Sequence, residues 1–461
     1  MNKLVRLKLI KWFYFSILIF SSSVTINCSS AVDTSNSENT IKSVAHTEWS
    51  RNATIYEVNV RQFTQEGTFN AFADHLPELK AMGIDILWFM PIHPIGVKNR
   101  KGTLGSYYSV KDYKAVNPEF GSLDDFKNVV NKAHQLGMYV IIDWVANHTS
   151  WDNVWTQTHT EFYNKDNNGN FISPFDWTDV IDLNYENKEL WNFMTDALKY
   201  WVQECNIDGY RCDVAAMVPL EFWKFAKPQL DAIKPVFMLA EAHEPELHEV
   251  FDMTYNWQLK DLFVGIAESK KNGDDLHKYF LDEKITYPAD SYRMVFTTNH
   301  DENSWNGTDA ERFGAFAEAF AVITGLVRGM PLVYSGMEGG LDKRLLFFEK
   351  DPIVWKESKY RNLYTKLFSL KHENKALWNG IAGAEMVKVN ANDPFIFSFT
   401  REKDGNKIFA LFNLSRHQKN ISLDDQNIAG TFTNLFSGET VSLSSKQNFN
   451  LEPYGYLVYY K

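Results

Sequence analysis

The stretch Ile207-Asp208-Gly209-Tyr210-Arg211-Cys212-Asp213 runs from an apolar approach into an arginine and an aspartate two residues apart. In an extended strand, residues i and i+2 share a face. Arg211 and Asp213 are therefore predicted to project together from one strand end. A guanidinium beside a carboxylate favours the ionised form, so Arg211 is expected to keep Asp213 charged. A held, ionised carboxylate can act as a covalent nucleophile. The pair alone is equally compatible with a structural ion pair.

Other strand ends carry similar groups. One ends Asp143-Trp-Val-Ala-Asn147-His148, another Glu241-Ala-His243, and a third Asn299-His300-Asp301. Such ends need an architecture that gathers them on one rim. From Trp49 onward the chain alternates strand and helix patterns. Strands are predicted at Thr54 to Val60, Ile84 to Met90, Met138 to Val145, the central stretch, Pro235 to Glu241, Asp252 to Trp257, Met294 to Thr298 and Pro331 to Ser335. Ile84 to Met90 is almost wholly apolar, as expected of a parallel strand buried on both faces. Helices are predicted at Phe69 to Met82, Leu123 to Leu136, Lys188 to Glu204 and Pro219 to Ile233, from their apolar spacing. Eight such repeats predict an α/β fold, a (β/α)8 TIM barrel over residues 49–374. Its active rim should lie at the C-terminal strand ends. Periodicity lapses over 149–181, which predicts a small loop-rich insertion after the third strand. Beyond 375 short strands and turns predict a C-terminal antiparallel β-sandwich to residue 461.

The four strand-end regions, in this order, resemble those of the α-amylase family of glycoside hydrolases. Gly105 to Tyr113, Asp182-Leu183-Asn184 and Gly329 to Glu338 add to the likeness, which covers about residues 49–461. The resemblance implies that Asp213 is the nucleophile, Glu241 the general acid/base and Asp301 the transition-state stabiliser. It further implies that His148, Arg211 and His300 surround the cleaved sugar and that Tyr108 stacks on it. The implied reaction is retaining hydrolysis of α-1,4-glucosidic bonds in starch, glycogen or maltodextrins. A cyclomaltodextrinase, maltodextrin glucosidase or glucanotransferase of the same family is the alternative, because Asp213-Val-Ala resembles the cyclomaltodextrinase and neopullulanase side. A non-catalytic binding member is disfavoured because all three carboxylates are present. No cofactor is implied for the chemistry. A structural calcium ion, common in the family, stays open but poorly supported. Met217 and Ala216 stand where a histidine and a lysine are frequent, and thioethers are poor calcium ligands.

Composition fits this reading. Of 461 residues, 44% are hydrophobic and 23% charged, as in an ordinary globular protein with a sizeable core. A net charge of −11 argues against nucleic acid as a partner. No obligate protein partner is evident. Residues 1–28 read as an export signal: Lys3, Arg6, Lys8 and Lys11 precede an apolar run, Trp12 to Phe20, then serines and Cys28. The order resembles a bacterial lipoprotein signal in which Cys28 is lipidated, with a flexible tether over 29–48. The expected location is outside the cytoplasm, anchored to a bacterial membrane, otherwise secreted. The remaining cysteines, Cys205 and Cys212, are too few for a disulfide framework and are expected as buried thiols.

Overall fold

Eight parallel strands close into a barrel in the computed structural model, which describes residues 41–461. Cys28 and the signal segment lie outside the described residues. The strands are β1 (Ile55–Val58), β2 (Ile86–Phe89), β3 (Tyr139–Trp144), β4 (Gly209–Cys212), β5 (Phe237–Ala240), β6 (Met253–Tyr255), β7 (Tyr292–Val295) and β8 (Met330–Tyr334). They neighbour each other in sequence order, and β8 pairs with β1 through Ile55 opposite Leu332.

Alternation along each strand builds two cores. Ile86, Trp88, Ile141, Leu239, Met253, Tyr255 and Met294 fill the barrel interior. Leu87, Phe89, Val140, Ile142, Met238 and Val333 face outward to the helices. Both faces are buried, which accounts for the largely apolar runs. At the bottom, Trp49 stacks on Tyr139 with centroids 3.8 Å apart and so plugs the N-terminal strand ends.

One predicted helix is divided. Phe69 to Met82 forms Phe69–Ala73 and Leu76–Met82, with a break at Asp74 and His75. Pro77 sits in the first turn of the second helix, where its missing N–H costs nothing, but it could not continue the first. Helix Leu123–Gln135 starts at a capping box between Ser122 and Asp125.

The C-terminal strands are β9 (Val387–Lys388), β10 (Ile396–Lys403), β11 (Asn406–Asn413), β12 (Lys419–Asp424), β13 (Gly430–Asn434), β14 (Thr440–Leu443), β15 (Lys446–Leu451) and β16 (Tyr456–Tyr460). Six form an antiparallel sheet in the order β9-β10-β11-β16-β13-β14, and β12 pairs with β15 as a second, two-stranded sheet. Phe409, Leu411, Ile421, Leu423, Phe449 and Leu451 pack together between the two sheets. The other face of the larger sheet joins the barrel's outer core through Phe397, Phe399 and Phe412.

Candidate active site

Register places the charged groups. Asp143 on β3 lies opposite Arg211 on β4, and Arg211 lies opposite Leu239 on β5. One residue past the ladder, the Asp213 amide donates to Trp144 O and the Glu241 amide to Cys212 O, both at 2.9 Å. Asp213 and Glu241 are thus carried on adjacent strand ends. Gly209 permits the close approach of β4 to β5: a Cβ there would lie 1.9 Å from Phe237 O.

Arg211 is fully buried and serves three carboxylates. Its Nη1 donates to Asp143 Oδ1 at 2.9 Å and to Asp213 Oδ1 at 3.0 Å. Its Nη2 lies 3.0 Å from Glu241 Oε2. Its Nε donates to the Tyr255 hydroxyl at 3.0 Å. Trp88 Nε1 and the Tyr108 hydroxyl both donate to Asp143 Oδ2, at 3.2 and 3.1 Å.

His300 links this cluster to Asp301. Its Nδ1 meets Glu57 in a short contact, and its Nε2 lies 2.8 Å from the Tyr108 hydroxyl and 3.3 Å from Asp301 Oδ2. Burial opposes the charge on His300, but Asp301 and Glu57 outweigh it and raise its pKa well above the ordinary value. The imidazolium then donates from both nitrogens, to Glu57 and toward Tyr108 and Asp301. The Tyr108 hydroxyl passes its own proton bond on to Asp143.

The three carboxyl groups are set apart by their surroundings. Burial raises Glu241 to about 7; Arg211 opposes this, while Asp213 and Asp301 add to it. Burial raises Asp213 to about 6, against Arg211 and with Asp143. Arg211 does lower Asp213 and leaves it mostly ionised at pH 7, but burial outweighs that help. One guanidinium shared among three carboxylates does not offset the desolvation of each. Burial also works to raise Asp301, but His300 outweighs it and holds Asp301 below its usual value. Exposure grades across the set: the side chains of Asp213, Glu241 and Asp301 are 11%, 14% and 37% accessible.

His148 is buried, and that burial lowers its pKa to about 3, so it is neutral at pH 7. The ring of Trp177, on the insertion, packs edge-on against it at 5.4 Å. The Tyr108 ring is nearly parallel to both His300 (21°) and Phe347 (11°). Asp213, Glu241, Asp301, Arg211, His300 and Tyr108 are thus brought together. His243 is exposed and outside the cluster. Cys205 and Cys212 are buried free thiols.

Sequence reasoning did not single out Glu57, Trp88 or Tyr255 as site residues, and it noted Asp143 only as a strand end. The lone acid in the apolar run Ile55-Tyr-Glu57-Val58 was the available signal, since a buried charge needs a partner.

A structural calcium ion takes oxygen donors, and side chains offering them are sparse at these positions. Met217 offers a 40%-exposed thioether. The Asn147 amide lies against His148 Nδ1 at 3.3 Å, and Asn184 Oδ1 accepts from the Glu186 amide. Asp182 accepts from Asn164. Among the described residues no group of three or more His, Cys, Asp or Glu side chains could hold a metal ion.

A family model described as the alpha amylase catalytic domain matches residues 30–179 and 162–374. The chain belongs to the α-amylase family of glycoside hydrolases. A second model, the C-terminal domain of maltogenic amylase, matches residues 386–458. Among solved structures, a noncanonic maltogenic α-amylase from Thermotoga neapolitana is 31% identical, with a TM-score of 0.81, covering 89% of this chain and 98% of that one. An α-amylase from Lactobacillus plantarum is 32% identical with a TM-score of 0.79, covering 90% and 99%. Among curated relatives, alpha-amylase 3 of Dictyoglomus thermophilum is 24% identical over 82% of this chain and 88% of its own length. Family membership and the barrel rim together make the carboxylate cluster this amylase-family enzyme's candidate active site.

Proposed function

We propose that the enzyme cleaves α-1,4-glucosidic bonds in starch, glycogen or maltodextrins by retaining double displacement. The observation that carries the reading is the single guanidinium, Arg211, within 3.0 Å of both Asp213 and Glu241. It holds two carboxyl groups side by side on adjacent strand ends, the arrangement that retention requires. Asp213 attacks the anomeric carbon while Glu241 gives its proton to the departing glycosidic oxygen. Water then attacks the glycosyl ester, returns a proton to Glu241 and frees Asp213. Glu241 at about 7 can carry the proton it must donate. Asp301, held ionised by His300, grips sugar hydroxyls as positive charge develops on the ring. Arg211, His300 and His148 line the cleaved unit, and Tyr108 packs against it.

A second reading, action on short maltodextrins or cyclodextrins with hydrolysis or transfer, draws support from the maltogenic C-terminal match and from a relative named cyclomaltodextrinase, 24% identical over 82% of this chain. Cys28 is proposed to carry the lipid that holds the enzyme at a bacterial membrane. No calcium is proposed to be needed, because Met217 offers a thioether, and Asn184 Oδ1 and Asp182 Oδ2 already accept hydrogen bonds, which leaves few free oxygen donors.

One experiment covers the catalytic and calcium readings: a timed product profile on soluble starch, maltotriose and cyclodextrin, with and without a chelator. The first product should be the α-anomer by NMR, the rate should be insensitive to chelation, and Asp213→Asn should lose all but about 1 part in 10⁴ of kcat. A β-anomer, or wild-type turnover by Asp213→Asn, would remove the mechanism.

A further inference from the structure

An aromatic pair, exposed Phe175 and half-buried Trp177, stands on the insertion after β3 and takes no part in the chemistry above. Phe175 is 74% exposed, and its φ is 50°. That is the left-handed region, which glycine or asparagine fills easily and a bulky residue does not. A loop selected only for its turn would carry one of those two. The loop is also pinned. The Trp177 amide donates to Pro174 O and the Val180 amide to Trp177 O, each at 3.1 Å. Ser173 Oγ donates to Val180 O at 2.7 Å, and Trp151 Nε1 to Thr178 O at 3.0 Å. Phe175 is therefore presented by a fixed backbone.

The rings form a series that starts at His148, which the proposed function places at the cleaved unit. His148 is buried, Trp177 packs on it at 5.4 Å, and Phe175 packs on Trp177 at 5.2 Å. An apolar surface continuous with a cleft marks a ligand groove. The axial C–H face of a glucosyl ring is apolar and uncharged, so it suits an aromatic platform. A glucan is a chain, so units flanking the cleaved one must rest somewhere along the rim. We propose that Phe175 and Trp177 form a subsite for a further glucosyl unit of the substrate chain, beyond the unit held at Tyr108 and His148. The inference rests on the reading of the substrate as an α-glucan.

The test compares kcat/KM on maltoheptaose and on 4-nitrophenyl α-maltoside for the wild type, Phe175→Gly and a surface control, Ile285→Ala, whose side chain is on an outer helix and 85% exposed. Phe175→Gly should lower the maltoheptaose value roughly three- to tenfold more than the aryl maltoside value. Its Tm should equal or exceed that of the wild type, because glycine relieves the backbone. Ile285→Ala should match the wild type on both substrates. An unchanged ratio between substrates, or a lowered Tm with equal losses on both, would overturn the subsite. Failure of the wild type to cleave either substrate would instead overturn the α-glucan reading, and this inference with it.

Discussion

Arg211 binds Asp143, Asp213 and Glu241 through one guanidinium, so the protonation of any one of them alters the others. The pH dependence of the enzyme follows. Catalysis needs Asp213 ionised and Glu241 protonated. Asp213 takes up a proton as pH falls through about 6, which removes the nucleophile. Glu241 loses its proton as pH rises through about 7, which removes the acid. The kcat/KM profile should be a bell with its optimum between those limits. Replacement by Glu241→Gln should remove the alkaline limb with most of the activity. A profile flat from pH 5 to 9 would refute both assignments. The residue types at this site were legible because each ends a strand with a charged or imidazole group. Their sharing was not: Glu57 and His300 lie 243 positions apart, and only closure of the barrel joins them. The raised pKa of Asp213 was hidden for the same reason, since the competing carboxylates come from other strands.

Barrel strands were readable because burial on both faces forces largely apolar text. The C-terminal strands were harder. β12 alternates as a half-buried strand should, but it carries only two apolar residues, Ile421 and Leu423, within a polar stretch. Contact between elements was not readable at all, and Gly273 shows why. It opens helix Gly273–Thr286, where alanine for glycine ordinarily stabilises by up to about 1 kcal/mol. Here a Cβ would lie 2.8 Å from the Ile396 carbonyl carbon and oxygen at the start of β10. The helix backbone itself is the docking surface for the C-terminal sheet. Gly273→Ala should therefore destabilise by about 1–3 kcal/mol, seen as a lowered Tm. A Tm at or above the wild-type value would mean that β10 does not press on this helix.

At the scale of the whole molecule, the described chain enters at the closed end of the barrel. The Val44 amide donates to His248 O. The His46 ring bonds Asp252 and Asp290 O at 2.8 and 2.7 Å, and stacks on Tyr292 at 3.9 Å. Asp252, Asp290 and Tyr292 lie at the N-terminal ends of β6 and β7, whereas the carboxylate cluster lies at the C-terminal ends. A chain fastened there leaves the substrate rim unobstructed on the opposite face. That geometry suits an enzyme held from its N-terminus, as the basic, apolar, serine and Cys28 order implies. Stable attachment needs more than one acyl chain, since a single chain binds membranes only marginally. With Val44 and His46 fixed to the barrel, only the stretch between Cys28 and Val44 is left to act as a tether, and if coil-like it would give the barrel a reach of about 2 nm. Cys28→Ala should therefore move the enzyme from the membrane fraction to the soluble fraction, with kcat on soluble starch unchanged, because the substitution is remote from the rim. Fractionation of cells expressing each form, scored by activity and by labelled-lipid incorporation, measures this. If the wild type is itself soluble and unlabelled, Cys28 is no anchor, and the enzyme is exported without one.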